Sequence, residues 1–326
     1  MTEAVVNISG AAGQVACSAG KEAILKTLAY FDIFQYPLTF AEINQFSTAS
    51  IDETELREEL TQLEMRGLVF CISGYYLLQN NPSLCQRRKS GNEKAAQLLV
   101  KAQKIGRFLY QFPFVRGVGI SGSLSKNFAD DKADIDFFII TRSNRLWIAR
   151  TLMHIFKKLT FLSGRQHYYC MNYYIDEMAL KLDDKNIFAA TEIKTLLPVS
   201  GQVTLQEFFN HNSWADIYLP GCTYRQQAER DPKRSFLKRT GEWLLANKAG
   251  NLLEKFFMRL TQKRWNKKED KGKRNEKGLP MGLISGKHFA RSNPGGLQEK
   301  VLLSYRQRVE ELTRRLSIVS GVLLPL

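Results

Sequence analysis

Apolar residues recur along this chain at two periods, and the change of period divides it. Ile24, Leu25, Leu28 and Phe31 form one stripe of an amphipathic helix. Thr39-Phe-Ala-Glu42 is a capping-box pattern that opens a second, short helix through Ile43 and Phe46. A third helix runs from Asp52 to Arg66, started by Asp52 and Glu55, with Leu56, Leu60 and Leu63 as its stripe and Gly67 at C′. Leu68 to Ile72 and Tyr75 to Leu78, joined by Ser73-Gly74, read as a hairpin. The basic triplet Arg87-Arg88-Lys89 then starts a linker. From Asn92 to Phe112 helical spacing returns through Ala95, Leu98, Leu99, Ala102, Ile105 and Leu109.

Beyond residue 112 short, nearly continuous apolar runs take over. Val118 and Ile120 precede a Gly-Ser turn, and Ile135, Phe137, Phe138, Ile139 and Ile140 make a second run; both read as buried strands. A helix over 144–162 and a strand over 168–175 follow, then a helix over 186–196. Two long helical patterns, 236–261 and 297–316, close the chain, with a flexible basic loop over 262–283 between them. The expected division is a disordered 1–20, a small domain over 21–80, a linker helix over 81–112, an α/β core over 113–222 and a basic helical region over 223–326.

Composition adds bounds. With 326 residues, two or three domains are expected, each with a real core. The five cysteines include no C-x-x-C pair and the four histidines are dispersed, so neither a zinc site nor a disulfide framework is indicated. No apolar run is long enough to span a bilayer, and the first twenty residues lack the basic and apolar regions of a secretory signal. The expectation is a reduced, cytoplasmic protein. Charge is more telling: residues 225–326 hold 24 Lys/Arg against 10 Asp/Glu, a net of +14, whereas residues 1–224 hold 23 against 22. Such a region attracts phosphates, which makes RNA a possible partner.

The chemistry concentrates in Gly119-Ile120-Ser121-Gly122-Ser123 and Asp134-Ile135-Asp136. Alternation along a strand places Asp134 and Asp136 on one face. Two carboxylates so close beside a buried sheet repel and lose solvation, and a divalent cation compensates both. Mg²⁺ (or Mn²⁺) is commonly held by one or two carboxylates with substrate phosphates completing its shell. Gly122 lets the backbone approach a phosphate, and Ser123 offers a hydroxyl and an N–H where a helix begins.

This Gly-Ser pair, spacer and Asp-apolar-Asp resembles the signature of the polymerase-beta-like nucleotidyltransferase superfamily over residues 115 to about 220. The resemblance implies a nucleotidyltransferase core with a small mixed sheet. Asp134 and Asp136 would be the catalytic metal-binding acids, and Gly122, Ser123, Lys126 and Asn172 would contact an NTP, expected to be ATP. A third carboxylate belongs on the strand after the helix, where this chain has Asn172, with Asp176 and Glu177 just beyond. Asn172 as a metal ligand, Asn172 as a core amide, and Asp176 or Glu177 reaching in from the strand end are the readings left open.

Three helices followed by a hairpin resemble a winged helix-turn-helix domain. The third helix would enter a major groove in a DNA reader. Here it carries Asp52, Glu53, Glu55, Glu58, Glu59 and Glu64 against Arg57 and Arg66, which repels a polyanion and favours a protein-contact or scaffold role. Elsewhere, His211, Asn212 and Trp214 are candidates to line a base pocket. Lys287, His288 and Arg291 are candidates to close over a triphosphate. The function expected is transfer of a nucleoside monophosphate from an NTP, preferentially to a small molecule, with RNA or protein as other acceptors. The alternative is a non-catalytic nucleotide-binding adaptor that uses the N-terminal domain and basic tail for partners.

Overall fold

Ser18 accepts a hydrogen bond from the Lys21 amide and so starts helix α1 (Ala19–Asp32), slightly earlier than the sequence pattern suggests. The computed structural model describes residues 18–131, 133–160, 168–275 and 278–319, so the expectation of disorder falls mostly on residues outside those described. After the short strand β1 (Leu38–Thr39), both halves of the expected capping box form at α2 (Phe40–Phe46). Asp52 accepts from the amides of Thr54 and Glu55 to open α3 (Glu53–Met65). β2 (Phe70–Ile72) and β3 (Tyr75–Leu77) join β1 in an antiparallel sheet of order β1-β3-β2. The stripes of α1 and α3 meet in one core through Ile24, Leu28, Leu56, Leu60 and Leu63.

Helix α4 (Pro82–Leu109) occupies the stretch of the linker helix expected over 81–112 and begins ten residues before the helical spacing returns at Asn92. Asn81 caps it and Pro82 stands at its first turn, so the triplet is helical. Arg88 is buried there: it donates to the Pro37 carbonyl (2.7 Å) and Glu42 (2.6 Å) and lies 3.6 Å from the centroid of the Tyr36 ring. A paired, stacked guanidinium thus bolts α4 to the N-terminal unit.

The second sheet is built from β4 (Val115–Ser121), β5 (Asp136–Thr141), β6 (Cys170–Asp176), β7 (Leu197–Ser200), β8 (Leu283–Ser285) and β9 (Phe289–Ser292). Its order is β7-β4-β5-β6-β9-β8, and only β5 and β6 run parallel. The connections are the single turn α5 (Gly122–Ser125), α6 (Leu146–Thr160), α7 (Ile187–Thr195), α8 (Gln202–His211), a 3-10 turn (Ser213–Ile217), α9 (Phe236–Leu245) and α10 (Lys248–Asp270), with α11 (Leu297–Val319) last. The fold is mixed α and β.

Alternation along β4 and β5 sorts the two faces. Val118, Ile120, Phe137 and Ile139 face a core closed by α4, α6 and α10. Phe138 and Ile140 face a second core closed by α7 and α8. The C-terminal region differs from the basic helical tail expected. It supplies β8 and β9 to the central sheet, and Val301, Leu312 and Leu316 of α11 to the N-terminal core.

The single helix expected over 236–261 breaks at Ala246 and Asn247. Asn247 caps α10, and Gly250 approaches the Leu245 carbonyl so closely that a Cβ there would sit 1.9 Å from the oxygen. Residues 262–270 are helical rather than loop, because Trp265 is buried against Trp147 and Arg150.

Helix α9 presents its polar residues to the protein. Lys238 is wholly buried and donates to the carbonyls of Tyr110 (2.5 Å) and Val115 (2.7 Å). Glu242 accepts from the Phe114 amide (2.9 Å) and pairs with Arg116 (2.7 Å). Burial pulls the Lys238 ammonium down to about 7, with Glu242 opposing that shift. Free lysine titrates at 10.5, so between these values the unfolded chain binds a proton that the folded chain does not, and stability rises with pH. Below about 7 both states carry the proton and this dependence vanishes. The raised thiols of Cys170 and Cys222 act in the opposite sense only above the ordinary value of 9.0. The urea midpoint is therefore expected to rise from pH 7 to pH 9, and Lys238→Met to flatten that rise. An unchanged rise in Lys238→Met would remove Lys238 as its source.

Candidate active site

The pairing of β4 with β5 sets Ser121 opposite Asp136. Gly122 follows at φ +71°, in the left-handed region, and a Cβ there would lie 2.9 Å from Asp136 Oδ2. The Gly-Ser turn and the second acid of Asp-x-Asp therefore share one corner at the end of the sheet. Ser123 is exposed in the single turn α5. Asp134 is half-buried in the segment just before β5, and Asp136 opens the strand itself.

Asn172 reaches this corner through an irregularity. Along the β5–β6 ladder, Phe137 pairs with Met171 but Phe138 pairs with Tyr173, so Asn172 is an extra residue on β6. Its Nδ2 donates to Asp136 Oδ1 at 2.9 Å, and its Oδ1 accepts from Cys170 Sγ at 3.3 Å. Burial, then the charge of Asp136, and to a smaller degree that of Asp134, push the Cys170 thiol up to about 12. The fields of both acids thus converge on the start of β6.

Glu192 of α7 is the residue that sequence reasoning missed. Its carboxylate accepts from the Gly122 amide (3.3 Å) and pairs with Lys126 (2.7 Å), whose ammonium also donates to the Gly122 carbonyl (3.1 Å). The amide expected to meet a phosphate holds a carboxylate instead. One signal was present: Glu192 is the sole acid in the largely apolar stretch 186–196, where an acid needs a partner. The Tyr36 hydroxyl donates to the Lys126 carbonyl, tying the N-terminal unit to the same turn.

Asp176 and Glu177 are not near this corner. Asp176 pairs in register with Thr141, at the far end of β5 from Asp136, about 17 Å away at strand rise. It is fully buried, accepts from the amides of Asn144 (2.8 Å) and Met178 (2.9 Å), and meets His288 Nδ1 at 2.8 Å. Glu177 accepts from the Ser143 amide (3.0 Å) and hydroxyl (3.2 Å). Both fix the β5–α6 connection, which leaves Asn172 beside Asp136. The other candidates separate likewise. Asn212 is buried and bonds Leu180, Leu182 and Phe208 backbone groups, with the Trp214 indole donating to it, so this pair packs a helix end. His288 turns to Asp176, whereas Arg291 pairs with Asp184 (2.7 Å).

Arg291 also lines a cleft of about 240 Å³ on the Asp136 face of the sheet. Phe138, Tyr173, Phe188 and Phe208 give it apolar walls, and Ser121, Glu192 and Glu299 also line it. Among the described residues no group of three His, Cys, Asp or Glu side chains is placed to hold a metal. Asp134 and Asp136 offer carboxylate oxygens that suit Mg²⁺ shared with a substrate phosphate, not an ion caged by protein alone, whereas the Asn172 amide turns its Nδ2 to Asp136 and its oxygen to Cys170. Comparison with protein-family models, curated proteins and solved structures gives no match.

Asn172→Asp places a third carboxylate against Asp136. Without divalent cation this variant is expected to lose about 1–3 kcal/mol through the lost hydrogen bond and added repulsion. Magnesium chloride should restore most of that loss in thermal melts while shifting the parent protein little. The same magnesium response in both proteins would show that these side chains share no cation site.

Proposed function

We propose that the chain is a metal-dependent nucleotidyltransferase that moves a nucleoside monophosphate from an NTP, ATP in the first instance, to a small-molecule acceptor. The observation that carries this reading is the meeting of Gly122 with Asp136 across the β4–β5 pair. The Gly122 backbone, whose amide holds the Glu192 carboxylate, lies beside Asp136, which supports a reading in which a phosphate and a cation meet at this corner. In the reaction the acceptor's nucleophile attacks the α-phosphorus, the bond to the pyrophosphate oxygen breaks, and pyrophosphate leaves.

Asp134 and Asp136 would hold Mg²⁺, with Asn172 orienting Asp136 through its amide. Bound Mg²⁺ supplies Lewis-acid stabilisation of charge on the phosphate oxygens. The Gly122 amide, Ser123 and Lys126 receive phosphate oxygens once Glu192 gives up the first and last of these donors. The aromatic cleft beside Ser121 suits a nucleobase or a small acceptor rather than a polymer, given its volume of about 240 Å³. The order of the N-terminal elements, with β1 between the first two helices and a hairpin after the third, supports a winged-helix reading. Its acidic α3 argues for a scaffold or protein contact.

Asn172 favours a second reading, a nucleotide-binding adaptor without turnover, because an amide beside Asp136 binds a cation weakly and takes no proton. Calorimetry with a non-hydrolysable ATP analogue and Mg²⁺ tests the shared premise. The parent should bind only with the cation, and Asp134→Asn with Asp136→Asn should abolish binding while circular dichroism stays unchanged. Undiminished, cation-dependent binding by the double variant would sink both readings. Release of pyrophosphate in the presence of candidate acceptors then separates the enzyme from the adaptor.

Glu192→Gln removes the anion that competes with phosphate at Gly122 and Lys126. It should tighten nucleotide binding about tenfold, equivalent to about 1.4 kcal/mol. Equal or weaker binding would show that the nucleotide does not take the place of this carboxylate.

A further inference from the structure

The hairpin of α9 and α10 turns an unusual surface outward. On α9 the inward line is Lys238, Gly241 and Glu242: Gly241 packs so near Pro113 that a Cβ would sit 2.8 Å from its ring. The outward line is Phe236, Leu237, Trp243 and Leu244, with Phe236 78% and Trp243 76% exposed. Leu252 and Phe256 continue it on the first turns of α10. Helical spacing then carries the same line of α10 into Arg259, Lys263 and Lys267, all exposed. Scattered exposed apolar residues are ordinary, but a run of them on adjoining helices marks an interaction site.

Charge identifies what the site meets. Between Lys233 and Lys268 the chain has only two acids, Glu242 and Glu254. Both point inward: Glu242 to Arg116, and Glu254 to the Trp147 (2.8 Å) and Ile148 (2.9 Å) amides at the start of α6. Every exposed charge in this stretch is therefore positive, Arg239, Lys248 and Lys255 included. A second copy of the same face would set cations against cations. A nucleic acid would neutralise the cations but leave Leu237, Leu244 and Leu252 in water. An anionic bilayer satisfies both, because phosphate headgroups meet Lys and Arg while Trp, Phe and Leu enter the headgroup–acyl boundary.

We propose that the outward face of the α9–α10 hairpin binds the surface of anionic phospholipid membranes. Binding is peripheral, since among the described residues no helix is long and apolar enough to cross a bilayer. This proposal is independent of the nucleotide reading: it rests on a different face and different residues.

Flotation of the full chain with vesicles tests it, using phosphatidylcholine alone or mixed with phosphatidylserine. The parent should float with the mixed vesicles and bind phosphatidylcholine alone about tenfold more weakly or less. Leu244→Ser with Phe256→Ser, and separately Lys255→Glu with Arg259→Glu, should each weaken binding about tenfold. Trp147 and Trp265 are buried, and Trp214 is half-buried with its indole donating to Asn212 away from this face, so a blue shift of tryptophan emission on adding mixed vesicles should disappear in Trp243→Phe. This readout on the parent stands even where a variant folds poorly. Absence of both flotation and emission shift overturns the proposal. So does a concentration-dependent dimer that Phe256→Ser dissociates, which would make the face a self-contact. RNA binding that depends on Lys255 and Arg259 but not on Leu244, with no vesicle binding, would overturn it in favour of nucleic acid.

Discussion

The register of β4 against β5 governs the candidate site and much of the packing around it. With Ser121 opposite Asp136, the residues Gly117, Gly119 and Ser121 line one face and Val118 and Ile120 the other. The lining face lacks side chains where it must: a Cβ on Gly119 would come 2.9 Å from Leu196, and one on Gly117 would come 3.3 Å from Ile140. The approach at Gly119 admits the C-terminal end of α7 against the sheet, and from that helix Glu192 reaches the Gly122 amide. A slip of one residue would move Asp136 into the core beneath α4 and α6, where a carboxylate has no solvation. The apolar pattern of β5 and the placement of its acids therefore enforce the same alignment.

Around that sheet the separate parts of the chain are joined by buried polar groups rather than by apolar seams alone. Arg88 ties α4 to Pro37 and Glu42, Glu254 caps α6 from α10, and Lys194 meets Asp216 and the Cys222 carbonyl from within α7. Each is a charge taken out of water, tolerable only with its partners in place. Such joints specify one docking geometry, since a misaligned helix would strand a charge. The Tyr36 hydroxyl on the Lys126 carbonyl extends this to the Gly-Ser turn, so the N-terminal unit bears directly on the shape of the candidate site.

Much of this was legible in the sequence where local rules are strong. The capping box at Thr39, the cap at Asp52, the strand runs at 118 and 135 and the Gly-Ser turn were each marked by residue type and spacing. What escaped notice depends on contacts distant in sequence. Nothing near Asn172 announces that a slip in the β5–β6 ladder will deliver it to Asp136. The basic run after Gln262 looks solvated, yet the burial of Trp265 against Trp147 extends the helix through its first part, to Asp270. Arg88 reads as linker until Tyr36 and Glu42 are placed beside it. Hairpin β8–β9 was hidden because its residues are ordinary in composition and take their meaning from the open edge of β6.

The inverted α9 has a thermodynamic consequence of its own. A helix held by apolar burial exposes that surface when it detaches, and so opens with a large heat-capacity increase and a strong dependence on denaturant. α9 already shows most of its apolar side chains to water and is held by Lys238 and Glu242. Its detachment from the body would release mainly polar contacts, with little new apolar area. Amide exchange in α9 should then proceed by an opening that is nearly insensitive to denaturant, distinct from the global unfolding that protects β4 and β5.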